Sequence, residues 1–393
     1  MSTLDYDEAK KKRPRKKKMI RISLAVGILG IVVGAIYFGF TTYQYNYGSF
    51  KGYTVKESVE KGDDNSTQFT SYKNNLLKVS RDGVMALDTE GEYIWNGSYE
   101  MLDPVFDLCG DYVAIAERNG TQISIFGEKG LVNSITVEHP VLSVQIANQG
   151  VVAVMMEESN SVYISIYASN GSEKWAYKKE LSSTGFPLSM TLSNDGKKLV
   201  LSYLETVSGT LTTNIACYNM DETGRNENQN FVGGSIYEGE VVPKVDFLAN
   251  NVVCFYKDTG FVLYKMNRKL GKEPIKEVTF ETPIRSVFSS SSYVGVITES
   301  GDDKEKYIVT VYDLAGKKVL EKGINYDYIS VSMKDTEILF YDYSGCMILN
   351  TKGKVRFQTD FNENIVAMCG ATKNKYYVVY GDRIDLIQLK GGK

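Results

Sequence analysis

The chain has 393 residues, 43% of them hydrophobic, enough for one large domain or two ordinary ones with a substantial core. Its net charge of −3 hides a split: residues 1–21 hold nine Lys or Arg against three acids, so the remainder carries −9, and an acidic body disfavours nucleic acid as a partner. One histidine, and five cysteines whose closest pair lies 23 residues apart, exclude a histidine-rich metal cage and any CxxC-type motif.

Lys10 to Arg21 form a dense cationic block, and Ile22 to Phe40 then run without a charge. As a helix, 19 residues span about 28 Å, close to a hydrocarbon core of roughly 30 Å. The apolar side chains that would meet lipid are Ile22, Leu24, Val26, Ile28, Leu29, Ile31, Val32, Val33, Ile36, Phe38 and Phe40. Tyr37, Tyr43, Tyr45 and Tyr47 supply aromatic residues for the outer interface. No A-x-A cleavage pattern follows, and the apolar span argues against reading the lysines as a nuclear signal. The sequence therefore predicts an uncleaved single-pass anchor in the cell membrane. The positive-inside rule then places the N-terminus in the cytosol and the body outside it. Lys16, Lys17, Lys18 and Arg21 sit where they can touch anionic headgroups. Gly30 and Gly34 make a GxxxG match, a candidate helix-dimer face.

From residue 66 onward an apolar strand ending in a polar, glycine-bearing turn recurs. Clear copies run Val84 to Gly91, Ile123 to Gly130, Ile164 to Gly171, Val309 to Gly316 and Met347 to Gly353. Looser ones run Ile215 to Gly224 and Val262 to Gly271, and the last is Ile384 to Gly391. A blade of four strands needs about 40–45 residues, and these glycines recur at that spacing. Denser apolar runs precede most copies, as at Tyr112 to Ala116 and Val252 to Tyr256, and fit strands sandwiched between sheets. Tyrosine, at 28 residues, adds to the β character. Pro104, Pro140, Pro187, Pro243 and Pro283 fall at one point of the repeat, just before a first strand, where a missing backbone donor is tolerated. Four of them are followed three residues on by Asp107, Ser143, Asp246 and Ser286.

The prediction is an all-β protein, a β-propeller of eight blades with seven as the alternative, preceded by one transmembrane α-helix. Its organisation is a basic cytosolic tail over 1–21, the helix over 22–42, a stalk over 43–65 and the propeller over 66–393. The final unit shows three strands only, so a segment near Tyr53 to Ser58 is expected to supply the fourth. No capped helix is expected after residue 45.

The Asp88-x-x-Gly91-x-x-x-Trp95 and Ser169-Asn170-Gly171-x-x-x-Trp175 stretches resemble the strand-turn-strand of quinoprotein-like propellers. Basic tail, single anchor and a Tyr-rich, Gly-punctuated body together resemble an uncharacterised bacterial family of membrane-anchored β-propellers, domain of unknown function 5711. That resemblance implies the fold and no activity.

Catalytic chemistry is hard to assemble from these residues. His139 precedes Pro140 and suits a turn; Asp63-Asp64 and Asp302-Asp303 lack the D-x-D-x-D-G spacing of a calcium loop; no GxxxxGK[ST] occurs. The cysteines read as buried thiols, with one disulfide as the alternative. The expectation is a non-enzymatic extracytoplasmic scaffold or recognition module, without catalytic residues, metal or cofactor. Its partners would be membrane lipid and another envelope protein or a cell-wall polymer. A ligand-sensing receptor signalling through the helix is the alternative, and a propeller enzyme ranks third.

Overall fold

A computed structural model describes residues 24, 26–39, 43, 48–62, 67–302 and 304–391, in two compact units, Met1–Ser49 and Phe50–Lys393. In the first unit residues 26–39 are helical, and Leu24, Val26, Ile28, Leu29, Ile31, Val32, Val33, Ile36 and Phe38 are all exposed. Among the described residues no helix is long and apolar enough to cross a membrane. Ile22 and Phe40 of the expected anchor, and the headgroup candidates Lys16, Lys17, Lys18 and Arg21, lie outside the described residues.

The second unit is a ring of eight four-stranded antiparallel sheets, which settles the count at eight. Blade 1 takes Gln68–Tyr72, Asn75–Val79, Gly83–Leu87 and Tyr93–Ser98 from inside to outside. Blades 2 to 7 follow in order, their first strands starting at Pro104, Val141, Phe186, Lys244, Ile284 and Ser330. Blade 8 joins both parts of the chain. Ile365–Gly370, Lys375–Tyr380 and Arg383–Gly391 are covered on the outside by Phe50–Glu60, in the order expected for a closing strand. That strand runs antiparallel to the last one, with Tyr53 opposite Leu389 and Ser58 opposite Asp385.

Packing explains the repeat. Second and third strands are buried on both faces because each blade is sandwiched between neighbours; Val113, Ala114, Ile115 and Ala116 are all 0% exposed. The buried apolar residues form clusters that straddle successive blades. The cluster closing the ring joins Leu76 and Leu87 of blade 1 to Val379, Ile384 and Leu386 of blade 8, with Val59 of the closing strand packed on it. The recurrent glycine meets two demands. At Gly91, Gly130, Gly171, Gly316 and Gly353 φ is positive, between 76° and 98°, where a Cβ is strained. Each of those turns also lies against the outer strand of the preceding blade: a Cβ on Gly91 would stand 2.8 Å from Val59, and one on Gly316 2.6 Å from Lys276.

Trp95 and Trp175 begin outer strands, and the rings pack across the blade seams. Trp95 stacks on Phe126 at 5.4 Å, and Trp175 lies 5.4 Å from Tyr218. One expectation fails: Leu181–Thr184 and Glu222–Arg225 are short helices, and the second is capped, Asp221 accepting a hydrogen bond from the backbone N–H of Thr223 at 2.8 Å. The connections between third and fourth strands are long in blades 4 and 5, residues 220–230 and 266–275, and the first of them has room for a turn of helix where the remaining blades carry a tight turn.

Candidate interaction surfaces

Strand direction gives the ring two ends. The upper end carries the connections between second and third strands and those between blades; the lower end carries the two other turns of each blade. The chain enters the ring at the lower end, because Phe50 pairs with Gly391, where the last strand finishes.

At the lower end, inner turns grip one another around the axis. Lys334 donates to the carbonyl of Lys73 at 2.7 Å, to Asn74 Oδ1 at 3.3 Å and to the carbonyl of Ala371. Lys73 pairs with Asp111, whose carbonyl accepts from the Tyr72 hydroxyl at 2.7 Å. The circuit continues from Asn148 N–H to the Asn194 carbonyl at 2.9 Å and from Asp195 N–H to Asn250 Oδ1 at 3.0 Å. Such a chain of short polar links leaves few groups of the inner turns for a partner.

The inner strands are tied in the same manner. Asp107 Oδ2 accepts from the Ile146 N–H of the next blade at 2.7 Å, and Ser289 donates to Asp246 at 3.0 Å. The Tyr328 hydroxyl donates to Ser286 at 3.0 Å. Three of the four Asp or Ser residues that follow a proline by three positions are therefore seam residues. Ser143, the fourth, lines an upper-end groove instead. Burial pushes the Asp107 carboxyl up to about 7, and Asp246 adds to the shift.

The upper end differs in chemistry. Glu117 clamps the connection between blades 1 and 2: its carboxylate accepts from Leu102 N–H at 2.8 Å and Asp103 N–H at 3.1 Å. Arg118 Nε bonds Asp103 at 2.8 Å. The clamp holds the Leu102 side chain out in solvent, 80% exposed. A depression beside it is lined by Arg81, Glu100, Glu117 and Arg118. Arg118 also borders the next groove, lined by Leu142, Gln145 and the 58%-exposed Phe186. Tyr343 and Ile329 are exposed further round the same end. Acids accompany them: Glu100, Asp103, Glu138, Glu281, Asp327 and Glu363 all lie in connections between blades. Leu102 and Phe186 escape sequence reasoning because each stands beside other apolar residues, Met101 and Leu188, and no period marks which of them faces solvent.

His139 lies in the turn between blades 2 and 3, as anticipated. It stacks on Tyr163 at 3.7 Å, with Nδ1 2.8 Å from Glu158, in a groove that Tyr167, Tyr177 and Lys178 also line. Among the described residues no cluster of three or more His, Cys, Asp or Glu could hold a metal ion. All five cysteines are free thiols, four of them buried, and burial pushes Cys346 and Cys369 up to about 12. Gly30 and Gly34 have no atom within 4 Å of a built Cβ, so their helix face is open.

No curated protein matches the chain. Among solved structures it resembles BamB from Moraxella catarrhalis, at 14% identity over 86% of this chain and 100% of that one, with a TM-score of 0.49. It also resembles Raptor from Chaetomium thermophilum (10% identity, 90% and 30% coverage, TM-score 0.48). The WD40 domain of Neurospora crassa Pan2 is similar at 11% identity, 74% and 89% coverage and a TM-score of 0.43. The model of the Family of unknown function (DUF5711) matches residues 46–389, which takes in the closing strand and all eight blades, and the chain belongs to that family.

Proposed function

We propose that the protein is a membrane-anchored, extracytoplasmic docking module without catalytic activity, whose upper end engages another envelope protein. The observation that carries this reading is the Glu117 clamp, which spends two charge-assisted hydrogen bonds on a loop whose tip is an exposed leucine. A side chain already held in place loses little freedom on binding, and Arg118, which borders both depressions, is of a type enriched at interface hot spots. Phe186 and Tyr343 extend the same chemistry round the rim, and the surrounding acids favour a partner with a basic border. Support for the anchor is the cationic block followed by the uncharged run from Ile22 to Phe40. An anchor there tethers the lower end, where Phe50 enters the ring, and leaves the upper end for a partner.

A photoreactive residue placed at Leu102 or Phe186 of the full chain in native membranes tests the reading. Discrete adducts from both positions, lost on Glu117→Ala, are expected, with none from position 174 at the lower end. The same adducts from position 174, or none from either rim position, overturn it. Protease added to intact cells tests orientation separately: cleavage beyond residue 43 with the lysine-rich tip protected is expected.

A further inference from the structure

The lower end is not uniform in charge. The outer turns of blades 5, 6 and 7, residues 266–275, 314–317 and 351–354, hold Arg268, Lys269, Lys272, Lys317, Lys352 and Lys354, against the single acid Glu273. All six basic side chains are exposed. Lys269 pairs with Glu227, whereas the other five form no ion pair among the described residues. The turns are neighbours in space: Gly316 of blade 6 abuts Lys276 of blade 5, and Gly353 of blade 7 abuts Leu320 of blade 6. Blade 8, next in the ring, continues the arc with the exposed Lys51 and Lys390, and it is the blade through which the chain enters.

Elsewhere the lower end is acidic or balanced. The outer turn of blade 1 holds Asp88, Glu90 and Glu92, and that of blade 4 holds Asp221, Glu222 and Glu227 against Arg225. The acidic upper loops lie at the opposite end of the ring. A body of net charge −9 therefore presents one basic arc, at the end and on the side from which its tether departs.

We propose that this arc is a second membrane contact, in which the lower end of blades 5 to 8 rests on anionic lipid headgroups. Five of the six basic groups carry no ion pair among the described residues, and all six are exposed and spread over adjacent turns, which suits a flat sheet of phosphates better than a single small anion. Tethering beside the arc raises the local concentration of headgroups, so weak individual contacts suffice. The contact would fix the tilt of the ring and hold the upper end away from the bilayer. The choice of lipid over another polyanion rests on the anchor reading above; the contact itself needs no helix.

The test uses residues 48–393, which contain every strand of the closed ring and no helical segment of the first unit. Co-sedimentation with phosphatidylcholine vesicles containing about one-third phosphatidylglycerol should show binding that weakens steeply with added salt and is absent on pure phosphatidylcholine. Lys317→Ala, Lys352→Ala and Lys354→Ala together should weaken binding on the order of a hundredfold, at about fivefold per residue. The matched set Lys129→Ala, Lys174→Ala and Lys197→Ala, from blades 2 to 4, should change it little. Equal loss in both sets, no anionic selectivity, or capture by a soluble polyol-phosphate polymer with no vesicle binding overturns the proposal. Because the fragment lacks residues 22–42, these results stand apart from the protease experiment on the anchor.

Discussion

Removing Phe50–Glu60 opens blade 8 along the whole of Arg383–Gly391, the strand it covers. Its worth resides in a few side chains, because ordering eleven residues costs about as much as the ladder hydrogen bonds return. Tyr53 is half-buried, with its ring 6.4 Å from Phe357 and 5.6 Å from Phe361. Full burial of an aromatic is worth 3–5 kcal/mol on truncation, so Tyr53→Ala should cost about 2 kcal/mol and lower Tm by roughly 3 °C. Ser58→Ala removes a 2.6 Å hydrogen bond to the buried Asp385 and should cost about 1 kcal/mol. Val55 is 47% exposed, and Val55→Ala should fall within about 0.5 kcal/mol of the parent. Deleting residues 50–60 should broaden the melt and promote self-association through the bared strand, and a peptide of residues 48–62 added in trans should restore the sharp transition. A deletion that melts like the parent and stays monomeric refutes the reasoning, as would a Tyr53→Ala loss no larger than that of Val55→Ala.

Other consequences are open to direct measurement. Asp107 has a native pKa of about 7 against an unfolded value near 4, so its contribution is full below about pH 4 and is lost as pH rises through 7. Asp107→Asn should accordingly flatten the fall in Tm between pH 5 and 8, read by scanning fluorimetry; parallel curves for parent and variant contradict the assignment. Gly91→Ala meets a positive φ of 80° and the Val59 methyl at 2.8 Å, and should cost about 2–3 kcal/mol. Gly209→Ala, at φ 85° with nothing nearby, should cost about 1 kcal/mol; equal losses in urea melts would remove the packing part of the account.

The ring is legible in the sequence where one residue must satisfy two constraints at once. Gly91, Gly130 and Gly171 stand out because both backbone sign and clearance from the previous blade demand glycine. Pro140, Pro243 and Pro283 directly precede first strands, where no backbone donor is required. The closing strand was inferable from a shortage: seven blades have four strands in sequence and the eighth has three. Surface chemistry was harder to read. Leu102, in a connection between blades, gains its meaning from Glu117, fifteen residues away at the end of a strand, and the basic arc draws on turns some forty residues apart. Neither has a period, so only the folded ring brings the groups together. Glu222–Arg225 escapes the sequence because Asp221 and Thr223 also suit an ordinary turn, and length is no guide: the connection 266–275, one residue shorter, forms no helix.

The bond between Ser58 and Asp385 spans 327 residues. During synthesis the outer strand of blade 8 therefore emerges among the first parts of the body, while its mate is among the last. At 5–20 residues per second the early strand waits roughly 20–60 s, with its unpaired edge available to any passing chain. Premature stops or C-terminal trimming would prolong that wait indefinitely. Closure of the ring therefore waits on the synthesis of Arg383–Gly391, the partner of that early strand.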